Sequence, residues 1–183
     1  TNVPIIAYSY KEAVEQLGFS YDFASYTLCQ SIYASFKLLG IGPVVFINVL
    51  DPRTHKKTNA ETEVTVENLT ATVKTLGILR DTVVVKKGTE TLEAETDYVL
   101  TFDDDGSLVI PLTTSGAGAA ATSLKVTSTS IDPTAVTAAS VIGTYNASTG
   151  VESGMEVLRQ VYPKLGMTPG LLLAPGWSHK ADV

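Results

Sequence analysis

Between about Glu61 and Ile131 the chain loses all helical periodicity, and on both sides of that stretch the periodicity is clear. This interruption constrains the fold more than any other feature. The middle segment is rich in Thr and Val, and it offers five strand candidates separated by turn residues: "EVTVE", "TVVVKKG", "DYVLTF", "SLVIPLT" and "SLKVTSTS". Short alternating runs at this spacing predict an antiparallel β module. Its clearest hairpin is "YVLTFDDDGSLVIPL", where Tyr98, Leu100 and Phe102 alternate into one face, Asp105-Gly106 turns, and Leu108, Ile110 and Leu112 return. Pro111 in the second arm predicts an edge position or a bulge. "TSGAGAAATS" predicts a flexible loop between strands.

The flanks have a different texture. In "SYKEAVEQLG", Ser9 and Glu12 form a capping box and Gly18 is placed to end the helix. A second helix carries Leu28, Ile32 and Phe36 at four-residue spacing, with Leu39 continuing the stripe and Gly40 following it. "GPVVFINVL" is nearly continuous in apolar residues and predicts a strand buried on both faces under helices. Near Asn146 helical texture returns. "STGVESGMEVLRQVYPKLG" predicts an amphipathic helix with Ser153 and Glu156 as a capping box, Met155, Leu158, Val161, Tyr162 and Leu165 on one face, and Pro163 in its last turn. Gly170 to Ala174 predicts a short buried strand, turned outward by Pro175-Gly176. The expected class is α+β: a discontinuous α/β layered domain (1–60 plus 140–183) with an inserted all-β domain, sandwich or barrel-like, at 61–139.

Charge and cysteine content exclude several functions. A net charge of −6 spread along the chain argues against unassisted nucleic-acid binding, and no apolar run is long enough to insert directly into a membrane. The single cysteine, Cys29, excludes an internal disulfide framework, and its apolar helical setting predicts packing rather than reactivity.

Each chemical candidate has a plainer explanation beside it. "FDDDGS" clusters carboxylates that a hard cation would favour, but the spacing of a calcium loop is missing and a solvated hairpin turn accounts for every residue. Ser178, His179 and Asp182 lie close in "WSHKAD", but triads are defined by geometry rather than by proximity along the chain, and there is no G-x-S-x-G elbow. Arg53, His55, Lys56 and Lys57 make a local basic cluster that a solvated linker explains. "TSGAGAAATS" lacks the Lys-Ser/Thr ending of a phosphate loop. No catalytic, cofactor-binding or metal residue is assigned.

Five segments in order carry a resemblance: "SYKEAVEQLG", "TLCQSIYASFKLLGIGPVVFINVLDPRTHK", "TLEAETDYVLTFDDDGSLVI", "DPTAVTAASVIGTYNASTG" and "LRQVYPKLGMTPGLLLAPGWSH". Together they resemble the N-terminal part of contractile-tail sheath proteins of tailed phages, prophages and related contractile injection particles. The resemblance implies a structural subunit, without enzymatic activity or cofactor, that forms stacked hexameric rings around an inner tube. Implied partners are neighbouring sheath subunits, the inner tail tube protein and the baseplate, with the virion tail as location after assembly in the host cytoplasm. It also implies that the family's core continues beyond "APGWSH", that an apolar strand and arm precede "VPIIAYSY", and that this chain is an N-terminal fragment. Extended arms add strands to neighbours in that family. Pro175, Gly176 and Trp177 match the family-like turn that closes a core strand and carry no chemical role. The β insert is expected at the particle's periphery. The rival expectation is an adhesive module whose β insert binds a carbohydrate or surface ligand, with calcium at Asp103 to Asp105.

Overall fold

The computed structural model describes every residue from Thr1 to Val183. In chain order the elements are β1 (Pro4–Ala7), α1 (Tyr10–Leu17), α2 (Thr27–Tyr33), β2 (Val44–Ile47), β3 (Lys56–Thr58), β4 (Thr62–Glu67), β5 (Thr70–Val73), β6 (Val84–Lys87), β7 (Glu90–Thr91), β8 (Thr101–Phe102), β9 (Leu108–Pro111), β10 (Ser123–Thr127), β11 (Thr129–Ile131), α3 (Ala138–Ile142), β12 (Tyr145–Asn146), β13 (Val151–Glu152) and α4 (Val161–Leu165). The class is α+β, with an all-β part. Two compact units result: Thr1–Asp51 with Pro133–Val183, and Pro52–Asp132. The second unit begins and ends earlier than the expected 61 and 139, because β3 and β11 pair with each other inside it.

In the first unit, α1 starts where its caps dictate. Ser9 Oγ accepts the Glu12 N–H at 3.3 Å, and the Glu12 carboxylate accepts the Tyr8 N–H at 2.8 Å. The next helix departs from its sequence pattern. After Tyr33 it widens into a π-helical turn over Ala34–Leu38, with the Leu39 N–H reaching the Ala34 carbonyl at 3.0 Å. Each turn now holds more residues than an α-turn, so the four-residue stripe rotates out of register. Ile32 stays fully buried, whereas Leu39 lies exposed instead of continuing the stripe.

β2 pairs with β1, a strand the sequence pattern did not reveal, in antiparallel register from Pro4↔Ile47 to Ala7↔Val44. Directly paired residues share a face. Ala7 and Phe46 join Ala13 and Ile32 in a core under α1 and α2. The opposite face lies against residues 154–160 and α4, where Val157 and Val161 are fully buried. Helices therefore cover both faces, as expected, yet Val44, Val45 and Ile47 remain only half-buried because the sheet has just two strands.

The predicted long helix near residue 160 is corrected. Gly154–Gln160 is 3-10 helical and only Val161–Leu165 is α-helical. Pro163 offers no N–H to the Arg159 carbonyl and its ring crowds that oxygen, so a continuous α-helix cannot pass through. The expected cap at Ser153 is also absent: Ser153 Oγ accepts the Thr144 N–H at 3.0 Å, and the Glu156 carboxylate pairs with Arg159 at 2.6 Å. Tyr162, expected on the buried face, is exposed.

The second unit is a seven-stranded antiparallel sheet, curled into a half-barrel, in the order β7-β6-β10-β4-β5-β9-β8. Its core gathers alternate residues: Ala71 and Val73 from β5, Val85 from β6, Leu108 and Ile110 from β9, Leu124 and Val126 from β10. Leu92, Tyr98 and Leu100 complete it, each such burial contributing roughly 1.5–3 kcal/mol. Phe102 departs from the predicted alternation and is 43% exposed, since it sits in β8 at the sheet's edge. Pro111 is the last residue of β9, an interior strand, rather than on an edge or in a bulge; its carbonyl accepts the Val99 N–H at 3.0 Å and no ladder donor is demanded of it. β5 went unrecognised because the β4–β5 turn is Asn68-Leu69, not Asn-Gly. Leu69 takes the unfavourable φ of +60° while its side chain packs against the core.

Candidate assembly surface

Exposed large apolar side chains are unevenly distributed. All of them except Leu76, Val84 and Phe102 belong to the first unit: Leu38, Leu39 and Ile41 after the π-turn, Tyr8, Tyr21, Tyr145 and Tyr162 elsewhere, and Leu171, Leu172 and Leu173 near the chain's end. Large apolar side chains left exposed side by side form an apolar patch rather than the scattered single exposures of an ordinary surface. The leucine run is the clearest case.

Gly170 to Ala174 was expected to be a buried strand, and the structure corrects this. No strand forms there, and Leu171, Leu172 and Leu173 are 75%, 59% and 70% exposed. A strand needs a neighbour to accept its backbone groups, and no strand of this chain lies in register with the segment. The turn that follows is formed. The Trp177 and Ser178 N–H groups both donate to the Ala174 carbonyl, at 2.9 and 3.0 Å. Gly176, at φ +77°, packs so closely on α2 that a Cβ there would lie 2.7 Å from Thr27 Cγ2. Trp177 is half-buried and its ring carries the Lys180 ammonium 4.0 Å from the centroid. Of the three residues Pro175, Gly176 and Trp177, it is Gly176 that brings this turn against the start of α2.

The remaining sequence candidates are placed as follows. Ser178, His179 and Asp182 are exposed in successive turns. Cys29 is buried in α2, and burial pushes its thiol pKa up. Lys56 and Lys57 lie exposed in β3, paired with Ile131 and Ser130, rather than in a linker loop. In the acidic turn, Asp103 Oδ1 accepts the Asp104 N–H and Asp105 Oδ1 accepts the Ser107 N–H, each at 2.8 Å. The Ser107 hydrogen bonds hold the Asp105 carboxyl below its usual range. No group of His, Cys, Asp or Glu side chains has an arrangement that could hold a metal ion, and no helix is long and apolar enough to cross a membrane.

Asp97 is the carboxylate that sequence reasoning missed. It is 8% exposed, and its two oxygens accept the Glu93 and Ala117 N–H groups at 2.8 and 2.7 Å. "TSGAGAAATS" is therefore pinned to the half-barrel at Ala117. These bonds, that from Glu93 first, hold the Asp97 pKa below the ordinary carboxylate value. A carboxyl depressed on folding contributes stability above its unfolded pKa and loses it as pH falls through the folded value. Thermal melts between about pH 2.5 and 7 are expected to show an acid limb below about pH 4. Asp97→Asn flattens that limb and lowers the pH 7 melting temperature by roughly 5 °C.

No protein-family profile matches the chain, and no solved structure does. The chain is 33% identical over 184 aligned positions, its full length, to the tail sheath protein of Burkholderia phage BcepMu. It spans 37% of that relative's length. Along its whole length, then, this chain is similar to part of a phage tail sheath protein.

Proposed function

We propose that the chain is part of a sheath subunit that polymerises as stacked rings around an inner tube and contracts to drive that tube through a target envelope. The observation that carries this reading is the full-length similarity to a tail sheath protein. The concentration of exposed apolar side chains on the first unit supports it, since a polymerising subunit must keep such surface for its neighbours. Neighbouring sheath subunits, the tube protein and the baseplate are the proposed partners, and the tail of the virion, assembled in the host cytoplasm, is the proposed location. No catalytic step is proposed.

The half-barrel is the inserted domain in this reading and lies at the periphery of the particle. Its outward strand positions, Glu63, Thr65, Glu67 and Thr72, are polar and exposed, as a solvated outer surface requires. A carbohydrate-binding role for this unit has less support. Tyr98 is buried in the core, and the groove over β4 and β5 is lined by Thr65, Glu67, Asn68, Thr70 and Thr72 without an aromatic ring on which a sugar could stack. Electron microscopy of a polypeptide extended to the length of the sheath relative is expected to show tubes or stacked rings.

A further inference from the structure

Residues 113–121 run across the half-barrel as a strap. Two glycines show how closely it lies: a Cβ at Gly116 would fall 2.7 Å from Asp97 Cα, and one at Gly118 would fall 3.0 Å from both Leu92 Cδ1 and Leu112 Cδ2. Leu92 and Leu112 are buried members of the half-barrel core, so the strap is part of their cover. Its ends are fixed to the sheet. The Thr113 N–H donates to the Asp97 carbonyl at 2.9 Å, and the Thr122 carbonyl accepts the Val66 N–H at 2.9 Å. Between those ends the strap bonds to itself in successive turns, Gly116 to Thr113, Ala119 to Gly116 and Ala121 to Gly118. Its middle is tied down through Ala117, whose N–H donates to Asp97 Oδ1 at 2.7 Å and whose carbonyl accepts Lys87 Nζ at 2.8 Å. Two side chains of opposite charge thus hold both polar groups of one strap residue.

We propose that the strap is an acid-released cover: protonating Asp97 frees residues 114–121 while the strands stay paired, and uncovers Leu92 and Leu112. The ionised carboxylate receives one N–H on each oxygen, from Glu93 and from Ala117. Once protonated, one oxygen carries a hydrogen of its own and can no longer serve an N–H aimed at it. Glu93 lies four residues away and is held a second time, because its carbonyl accepts the Asp97 N–H at 2.8 Å. Ala117 lies 20 residues away and closes a loop, so its bond is the one given up. The charged groups around Asp97 do not replace it. Lys87, from β6, already carries its proton and keeps only a solvent-exposed bond, for which water competes. Glu93 and Glu95 of the adjoining turn are exposed, and Glu95 pairs with Arg80 at 3.8 Å. The neighbouring Tyr98 phenol has its pKa raised, by burial first and by the Asp97 charge second. The bonds from Glu93 and Ala117 hold the Asp97 pKa below its ordinary value. The clamp is therefore complete above the unfolded pKa, about 3.9, and is lost as pH falls through the lower folded value. This cover belongs to the half-barrel and is independent of a sheath role.

Residue-resolved amide exchange of the 183-residue chain between about pH 2.5 and 7, corrected for the intrinsic pH dependence of exchange, tests it. Protection of the Ala117, Ala119 and Ala121 amides is expected to fall at least about tenfold on acidification, the size implied by losing a hydrogen bond to a charged group. At the acid end the β9 and β10 amides are expected to remain at least about tenfold better protected than the strap. Asp97→Asn is expected to show the acid level of strap protection already at pH 7, with no further step on acidification. Gly116→Ala displaces the strap sterically and leaves the carboxyl in place, so it is expected to bind an apolar fluorescent dye at pH 7, as the unaltered chain does only in acid. The proposal is overturned by strap protection that does not change with pH, by strap and strands that lose protection together at one common rate, or by a Gly116→Ala chain that is folded and binds no dye. Should Asp97→Asn fail to fold, the titration of the unaltered chain and the Gly116→Ala variant decide the matter without it.

Discussion

Gly143→Ala is expected to cost the first unit about 4 kcal/mol, enough to unfold it in most conditions. Gly143 ends α3 at φ +76° and ψ −171°, a region only glycine occupies without strain. Space is the harder limit: a Cβ there would lie 1.7 Å from the Ser153 carbonyl oxygen and 2.7 Å from Gly154 Cα. Both obstacles are backbone, so no side chain can rotate away. Gly154 meets the same wall from the other side, its own Cβ position falling 2.4 Å from the Val141 carbonyl oxygen, while its N–H donates to Asn2 Oδ1 at 2.9 Å. The two glycines let the chain segments on either side of β12–β13 cross in contact. Gly166→Ala is the control, at φ +67° with nothing within 4 Å, and is expected to cost only about 1 kcal/mol. Urea titrations of both variants measure the difference.

The second large effect lies in the half-barrel. Leu124→Ala is expected to destabilise that unit by about 3 kcal/mol, through lost transfer energy and the cavity left behind. Leu124 is fully buried in β10, which is paired on both sides by β4 and β6, so the surrounding sheet has little freedom to collapse onto the void. Leu171→Ala removes the same atoms from an exposed position and is expected to change stability by less than about 0.5 kcal/mol. Amide exchange read by segment should show the Leu124→Ala loss over 52–132 before it reaches 1–51.

The parts of the fold legible in sequence were those written in local chemistry. Ser9 and Glu12 cap α1 as their spacing required, and Asp105-Gly106 turns the predicted hairpin. The Thr-rich alternation yielded β4, β6, β9 and β10. What failed depended on distant groups. β1 is four residues long, and only its pairing with β2 makes it a strand. α3 was hidden in a small-residue stretch, where Thr137 and Ser140 form a reciprocal cap without the acidic residue that usually marks one. Leu39 kept its place in the stripe on paper and lost it to a π-turn. The candidate surface was half legible: the leucine run stood out as strand-like, but its exposure appears only once the sheet is seen to stop at two strands. Asp97 carried no signal at all, because its partners are backbone groups brought together by the folded loop.

Electron microscopy with sedimentation on a protein of the sheath relative's full length, beside the 183-residue chain, tests the proposed role most directly. Tubes or stacked rings from the longer protein are expected, with the shorter chain forming nothing larger than a small discrete oligomer. A longer protein that remains a discrete monomer at every salt and protein concentration would contradict a sheath role.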